Sequence, residues 1–205
     1  MMYRYIIKIT LTLFILMVLH SCRPILYKIF GIELMTSFNQ EKYDKTLYFF
    51  NSHYKENQIS SYIGEDSNFK EYSLLDTTIT NSLLQPIQIL YFKNDTLKSF
   101  HANCFAKGSI TGSLNWNYDN KFNYFIPKSA IAVEDRSINL SDIKSIYKID
   151  KKTQEVTIVF FWTNTFSKLS INAFKQIVDN LKLHSINNID IIAINTDYSF
   201  INMKY

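Results

Sequence analysis

Apolar and polar positions change texture several times along the chain, and each texture predicts a different element. Ile9 to Leu19 is an apolar run broken only by Thr10 and Thr12, with Arg4 and Lys8 near its start and no acid before Glu33. It is shorter than the ~20 residues a helix needs to cross a bilayer, and its length suits the apolar core of a secretory signal. Residues 36–72 are mostly polar, with Tyr43, Leu47 and Phe50 at helical spacing. That spacing predicts one helix ending by Gly64, and then a loop. Ile87 to Phe92 reads as a strand that stops at the turn residues Asn94-Asp95, and Leu97 to Phe105 as the strand that returns. Leu114 to Tyr118 alternates, turns at Asp119-Asn120 and resumes at Phe122 to Ile126, which predicts a second hairpin. Its aromatics read as one packed sheet face, with a sugar or peptide platform as the functional alternative.

The clearest pattern comes last. Val156 to Phe161 has the composition of a buried strand, and Trp162-Thr163-Asn164-Thr165 makes a turn with capping residues. Phe166 to Leu183 carries Phe166, Leu169, Ala173, Phe174, Ile177, Val178 and Leu181 on one helical face. Asn187-Asn188 ends the helix, and Ile189 to Asn195 is a second buried strand. Strand, helix and strand form a βαβ unit with parallel strands and a right-handed crossover.

Composition narrows the function classes. Of 205 residues, 47% are hydrophobic and 20% charged, enough apolar material for a core and too much for a disordered chain. The length suits one ordinary domain or two small ones. Four glycines and three prolines exclude collagen-like and Gly/Pro-rich readings. The net charge of +4 falls to +2 when Arg4 and Lys8 leave with a signal peptide, so no nucleic-acid partner is expected. Two cysteines, Cys22 and Cys104, cannot make a disulfide scaffold or a four-thiolate zinc site. His20, His53, His101 and His184 lack metal-ligand spacing, and no glycine follows Gly112 to cradle a phosphate. No metal and no cofactor is expected. Ser167, Ser170, His184 and Asp179 could be imagined as a hydrolase set, but no nucleophile-elbow glycines flank the serines, which read as capping or exposed residues. Cys104 has apolar neighbours and reads as a buried small hydrophobe. The functional alternative is a lone reactive thiol or an intermolecular disulfide, with Lys98 and His101 as the nearest cations.

Leu19-His20-Ser21-Cys22 resembles the bacterial lipoprotein cleavage box, with an aliphatic residue three before the cysteine and a small residue just before it. The resemblance implies a signal peptide over 1–21 and lipid attachment at Cys22. A membrane-proximal tether over 22–35 would follow, and the protein would sit in the cell envelope, lipid-anchored to a bacterial membrane. The alternative is an uncleaved anchor extended through Ile25 to Met35, which Arg23, Lys28 and Glu33 interrupt.

Phe161-Trp162 at the end of the first strand, and Ala193-Ile194-Asn195-Thr196-Asp197 at the end of the second, resemble the membrane-anchored, thioredoxin-like redoxin branch. Val133 to Ile143, with its Leu140-Ser141-Asp142-Ile143, is similar to the hairpin that the family places before its first strand. The resemblance implies an α/β fold: a thioredoxin-like region over 130–205, beside an N-terminal helix-plus-strand region over 36–129. The positions corresponding to the family's two redox cysteines are Phe166 and Leu169, and no proline follows Pro127 to supply the family's cis-proline loop. The family also continues with two more strands and a helix where this chain reaches Tyr205. Residues 80–130 would have to supply them, or the copy is a shortened one. The implied role is therefore a non-catalytic accessory or binding protein with an unidentified protein partner. The alternative is a thiol–disulfide oxidoreductase or peroxidase-like enzyme using Cys104.

Overall fold

A computed structural model of the chain describes residues 31–54, 58–108, 114–134, 136–187 and 189–201. The expected signal peptide, Cys22 and the first part of the expected tether lie outside the described residues. Among the described residues, no helix is long and apolar enough to cross a membrane.

The helices are α1 (Gln40–His53), α2 (Asp66–Ser73), α3 (Thr80–Leu83), α4 (Leu140–Ile146), α5 (Ser167–Leu183) and α6 (Asp197–Phe200). The strands are β1 (Ile59–Ile63), β2 (Gln88–Lys93), β3 (Thr96–Ala102), β4 (Val156–Trp162) and β5 (Asp190–Asn195). All five strands form one mixed α/β sheet in the order β1-β5-β4-β2-β3. β1, β5 and β4 run parallel, β2 runs antiparallel to β4, and β3 is antiparallel to β2. Strands from both sides of residue 130 thus share the sheet.

The three central strands, β5, β4 and β2, read as nearly continuous apolar runs because helices cover both faces. Ile158, Phe160 and Trp162 of β4 point to the side that holds α1 and α5, where Phe50 and Phe174 stack with ring centroids 4.3 Å apart. Val159 and Phe161 point to the other side, against Phe69 and Tyr72 of α2 and Ile143 of α4. The βαβ unit is as the sequence predicts, with Ile158 opposite Ile191 in parallel register. The β2–β3 hairpin also forms, turning at Asn94 with φ 54°. It supplies the antiparallel side of the sheet, and β5 is no edge: Ile191 is paired on both sides.

Four expectations are corrected. Residues 36–72 hold not one helix and a loop but α1, β1 and α2. The Ser60-Ser61 centre hides β1 as a strand, and its pairing with β5 stabilises it. Residues 114–126 form no hairpin. Leu114 and Trp116 donate their backbone N–H groups to Asn172 and Gln176 of α5, and Asn180 donates to the carbonyls of Phe122 and Tyr124. Helix side chains, with an antiparallel bridge between Asn115 and Lys107, therefore do the work of a partner strand, while Asp119 and Asn120 take left-handed φ values of 57°. Residues 133–143 are not a hairpin either: the chain runs into α4, where Leu140, Ile143 and Ile146 are buried at helical spacing. Asp95 in the β2–β3 turn caps that helix, accepting from the Ser141 N–H at 2.6 Å and the Ser141 hydroxyl at 2.8 Å. The fourth correction is Cys104, described below.

Candidate functional site

The point where β4 ends and α5 begins is where the family resemblance puts a redox pair. The chain leaves Trp162 through a one-turn 3-10 segment, Asn164–Phe166, before α5 starts. Phe166 stands at the N-cap of α5 and Leu169 one turn further, both half-buried against the core on the α5 side. Neither side chain can bear a charge or a nucleophile. A free helix N-terminus lowers the pKa of a thiol placed on it. Here that field has no thiol to act on.

Most of the polar groups around this point are satisfied by one another, while Trp162 Nε1, Thr165 Oγ1, Asn195 Nδ2 and Ser199 Oγ are buried without a hydrogen-bond partner. Asp197, fully buried at the start of α6, accepts from the Thr163 hydroxyl at 2.6 Å and from the Asn164 backbone N–H at 2.6 Å. Its second oxygen accepts from the Asn164 amide at 2.8 Å. Asn164 in turn accepts from the Thr46 hydroxyl of α1 at 3.0 Å, which ties a third element to the cluster. Ser170, expected to cap or to be exposed, is fully buried and donates its hydroxyl to the Thr163 carbonyl at 2.8 Å. A buried carboxylate survives without a cation only when several donors surround it. Three donors do so here. The arrangement holds β4, β5, α1 and α6 together, and it engages the polar side chains of Thr163, Asn164, Ser170 and Asp197.

The imagined hydrolase set does not come together. Ser170 lies near the start of α5 and His184 just past its end, a helix length of roughly 20 Å at 1.5 Å per residue. Asp179 is exposed, and His184 faces the Phe122 carbonyl at 3.3 Å.

Cys104 is exposed, not buried as its apolar neighbours suggest. It sits in the 3-10 turn Asn103–Phe105 after β3. Asn103 fastens that turn to Ile87, donating its N–H to the Ile87 carbonyl at 3.0 Å. Gln88, the next residue, pairs with Phe161, so Cys104 is at the same end of the sheet as the start of α5 but two strands away from β4. Partial burial pushes its thiol pKa up against a weaker lowering by its own backbone N–H, which leaves it less thiolate than an ordinary cysteine.

His101 is buried on β3, with its Nε2 3.0 Å from the Ser99 hydroxyl, and burial together with Lys121 lowers its pKa to about 3. It is a core histidine beside Trp116 and Phe122. Among the described residues no three of the His, Cys, Asp and Glu side chains gather as a metal site. An open cleft of about 730 Å³ lies at the opposite end of the sheet, between the β2–β3 turn and α4. Its Asp95 is engaged in capping α4, and its buried members are the apolar Leu140 and Ile149.

Comparison of the chain with protein-family models, with curated proteins and with solved structures finds no match. The Asp197 cluster was the part of the site that sequence reasoning missed. Its only signal was an Asp one residue beyond the Asn195-Thr196 strand end, facing Thr163-Asn164 at the other strand end.

Proposed function

We propose that the protein is an exported lipoprotein, tethered to a bacterial membrane through Cys22, with a thioredoxin-like architecture that serves a non-catalytic accessory or binding role. The observation that carries the non-catalytic part is the start of α5. Phe166 and Leu169 occupy the thiol positions, and the Asp197 cluster behind them is closed upon itself.

The sheet order supports the architectural part. The resemblance implies a parallel βαβ pair and two further strands, and the sheet has such a pair with an antiparallel hairpin beside β4. Here the hairpin comes from residues ahead of the βαβ unit instead of after it. Pro86, two residues before β2, stands at the sheet end where Gln88 meets Phe161.

One observation favours the oxidoreductase alternative: Cys104 is exposed. Disulfide exchange needs a thiolate to attack and a second thiol to resolve the mixed disulfide. Cys104 has a raised pKa and, with Cys22 lipidated, no second thiol. The full-length protein in detergent should therefore show no insulin disulfide reduction above a no-protein blank, and Cys104→Ser should leave its biological role intact. Reductase activity abolished by Cys104→Ser would overturn the non-catalytic reading. For the anchor, Cys22→Ser should block incorporation of labelled palmitate; unchanged incorporation would end the lipoprotein reading.

A further inference from the structure

We propose that the end of the sheet where β1, β5 and β4 finish is the face that rests on the lipid bilayer, so that the tether holds the protein in one orientation. This rests on lipidation of Cys22 in the reading above.

The first described residues do not dangle. Gly31 has φ +64° and lies so close to Lys168 that a Cβ there would meet the lysine Cβ at 2.9 Å. The Glu33 N–H donates to the Thr165 carbonyl at 2.8 Å, and the Glu33 carboxylate pairs with Lys42. Met35 is buried, and the Phe38 ring stacks on Tyr198 at 5.2 Å. These contacts fix the point where the chain enters the fold at the start of α5, beside α6.

The reach of the tether then decides which surface can meet the membrane. Cys22 and Gly31 are nine peptide steps apart, at most about 32 Å when fully extended. A compact body of the 171 residues from Gly31 to Ile201 has a radius of gyration of about 16 Å, hence a width of roughly 40 Å. The tether is shorter than the protein is wide. It cannot carry the lipid around to the far end of the sheet.

The surface at the near end suits that contact. Of the eight exposed large hydrophobic side chains among the described residues, four lie there: Leu34 in the entering segment, Ile63 at the end of β1, Leu84 ahead of β2 and Tyr198 in α6. Ile63 is paired with Asn195, two residues before Asp197 of the buried cluster. Single exposed apolar residues need no explanation, but several at one end do. Charges at that end come in both signs, Glu33, Glu65 and Asp66 against Lys42, Lys70 and Lys168. On the folded surface the contact is therefore apolar, with three acids against three cations, and the tether adds Arg23 and Lys28.

The test uses the full-length lipidated chain in phosphatidylcholine vesicles containing a nitroxide-lipid quencher, in a Cys104→Ser background. Leu34→Cys, Ile63→Cys and Leu183→Cys are each labelled with a polarity-sensitive fluorophore. Leu183 is exposed and terminates α5 at the other end of the sheet. The labels at 34 and 63 should shift to the blue and be quenched, and the label at 183 should do neither, at low and high salt alike. Equal signals at all three positions, or quenching at 183 alone, would overturn the orientation. Mass analysis of the same sample separates the two ideas: missing lipid on Cys22 sinks both, whereas lipid present with equal signals sinks only the orientation.

Discussion

The Thr163 hydroxyl donates to the Asp197 carboxylate across 2.6 Å, joining the end of β4 to the residue that opens α6, with both side chains fully buried. Removing the carboxylate strands three donors at once. A stranded buried donor costs roughly 1–3 kcal/mol. Asp197→Ala should therefore lower the stability measured by urea unfolding by ~3 kcal/mol or more, and Thr163→Val by less. The double variant should fall short of the sum of the two, because the contacts share one acceptor. Strict additivity would mean that the two side chains do not interact.

Phe174 of α5 is fully buried and stacks on Phe50, with Phe160 at 6.0 Å. Phe174→Ala should cost ~3–5 kcal/mol, the usual range for emptying a packed aromatic site. A loss under ~1 kcal/mol in thermal or urea unfolding would mean that the face between α5 and the sheet is not a core.

Stability should fall in mild acid through His101. Its folded-state pKa is lowered from 6.5 to about 3 by burial and by Lys121. Between those values the unfolded chain holds a proton on this ring and the folded chain does not. The contribution is therefore fully present above the unfolded value and is lost as pH falls through that window, at up to ~1.4 kcal/mol per pH unit. Comparing the unfolding free energy of the native chain and His101→Gln between pH 7 and 4 isolates this group from the carboxylates. Parallel curves would refute it.

Phe166 and Leu169 stand one turn apart at the start of a regular helix. Replacing both, Phe166→Cys with Leu169→Cys, should create a pair that closes to a disulfide, since helix-start spacing brings the two sulfurs within reach. The first thiol should also be acidic relative to Cys104, because the free N–H groups of the helix stabilise a thiolate. The pH dependence of alkylation reads both: Cys104 should react faster only as pH rises past the ordinary thiol range, and the new thiol at lower pH. Identical profiles would show that the α5 terminus exerts no field on that position.

The chain by itself determined the elements whose partners are near in sequence. The βαβ unit was legible because β4, α5 and β5 each carry a strong period and follow one another directly, and the β2–β3 hairpin because Asn94-Asp95 closes it locally. Tertiary structure decided the rest. β1, with the polar Ser60-Ser61 at its centre, is a strand because Ile59 finds Ile191 on β5. The alternating stretch at 114–118 does not pair with 122–126, because Asn172 and Gln176 of α5 satisfy the Leu114 and Trp116 N–H groups and Asn115 pairs with Lys107. Cys104 was carried to the surface by a 3-10 turn that its apolar neighbours do not foretell. Asp197, which the sequence shows only as the end of the second strand pattern, is the centre of the buried polar cluster. The reason is common to all four: hydrophobic period records which side of an element faces a core, whereas hydrogen-bond partners distant in sequence are chosen only when the elements pack.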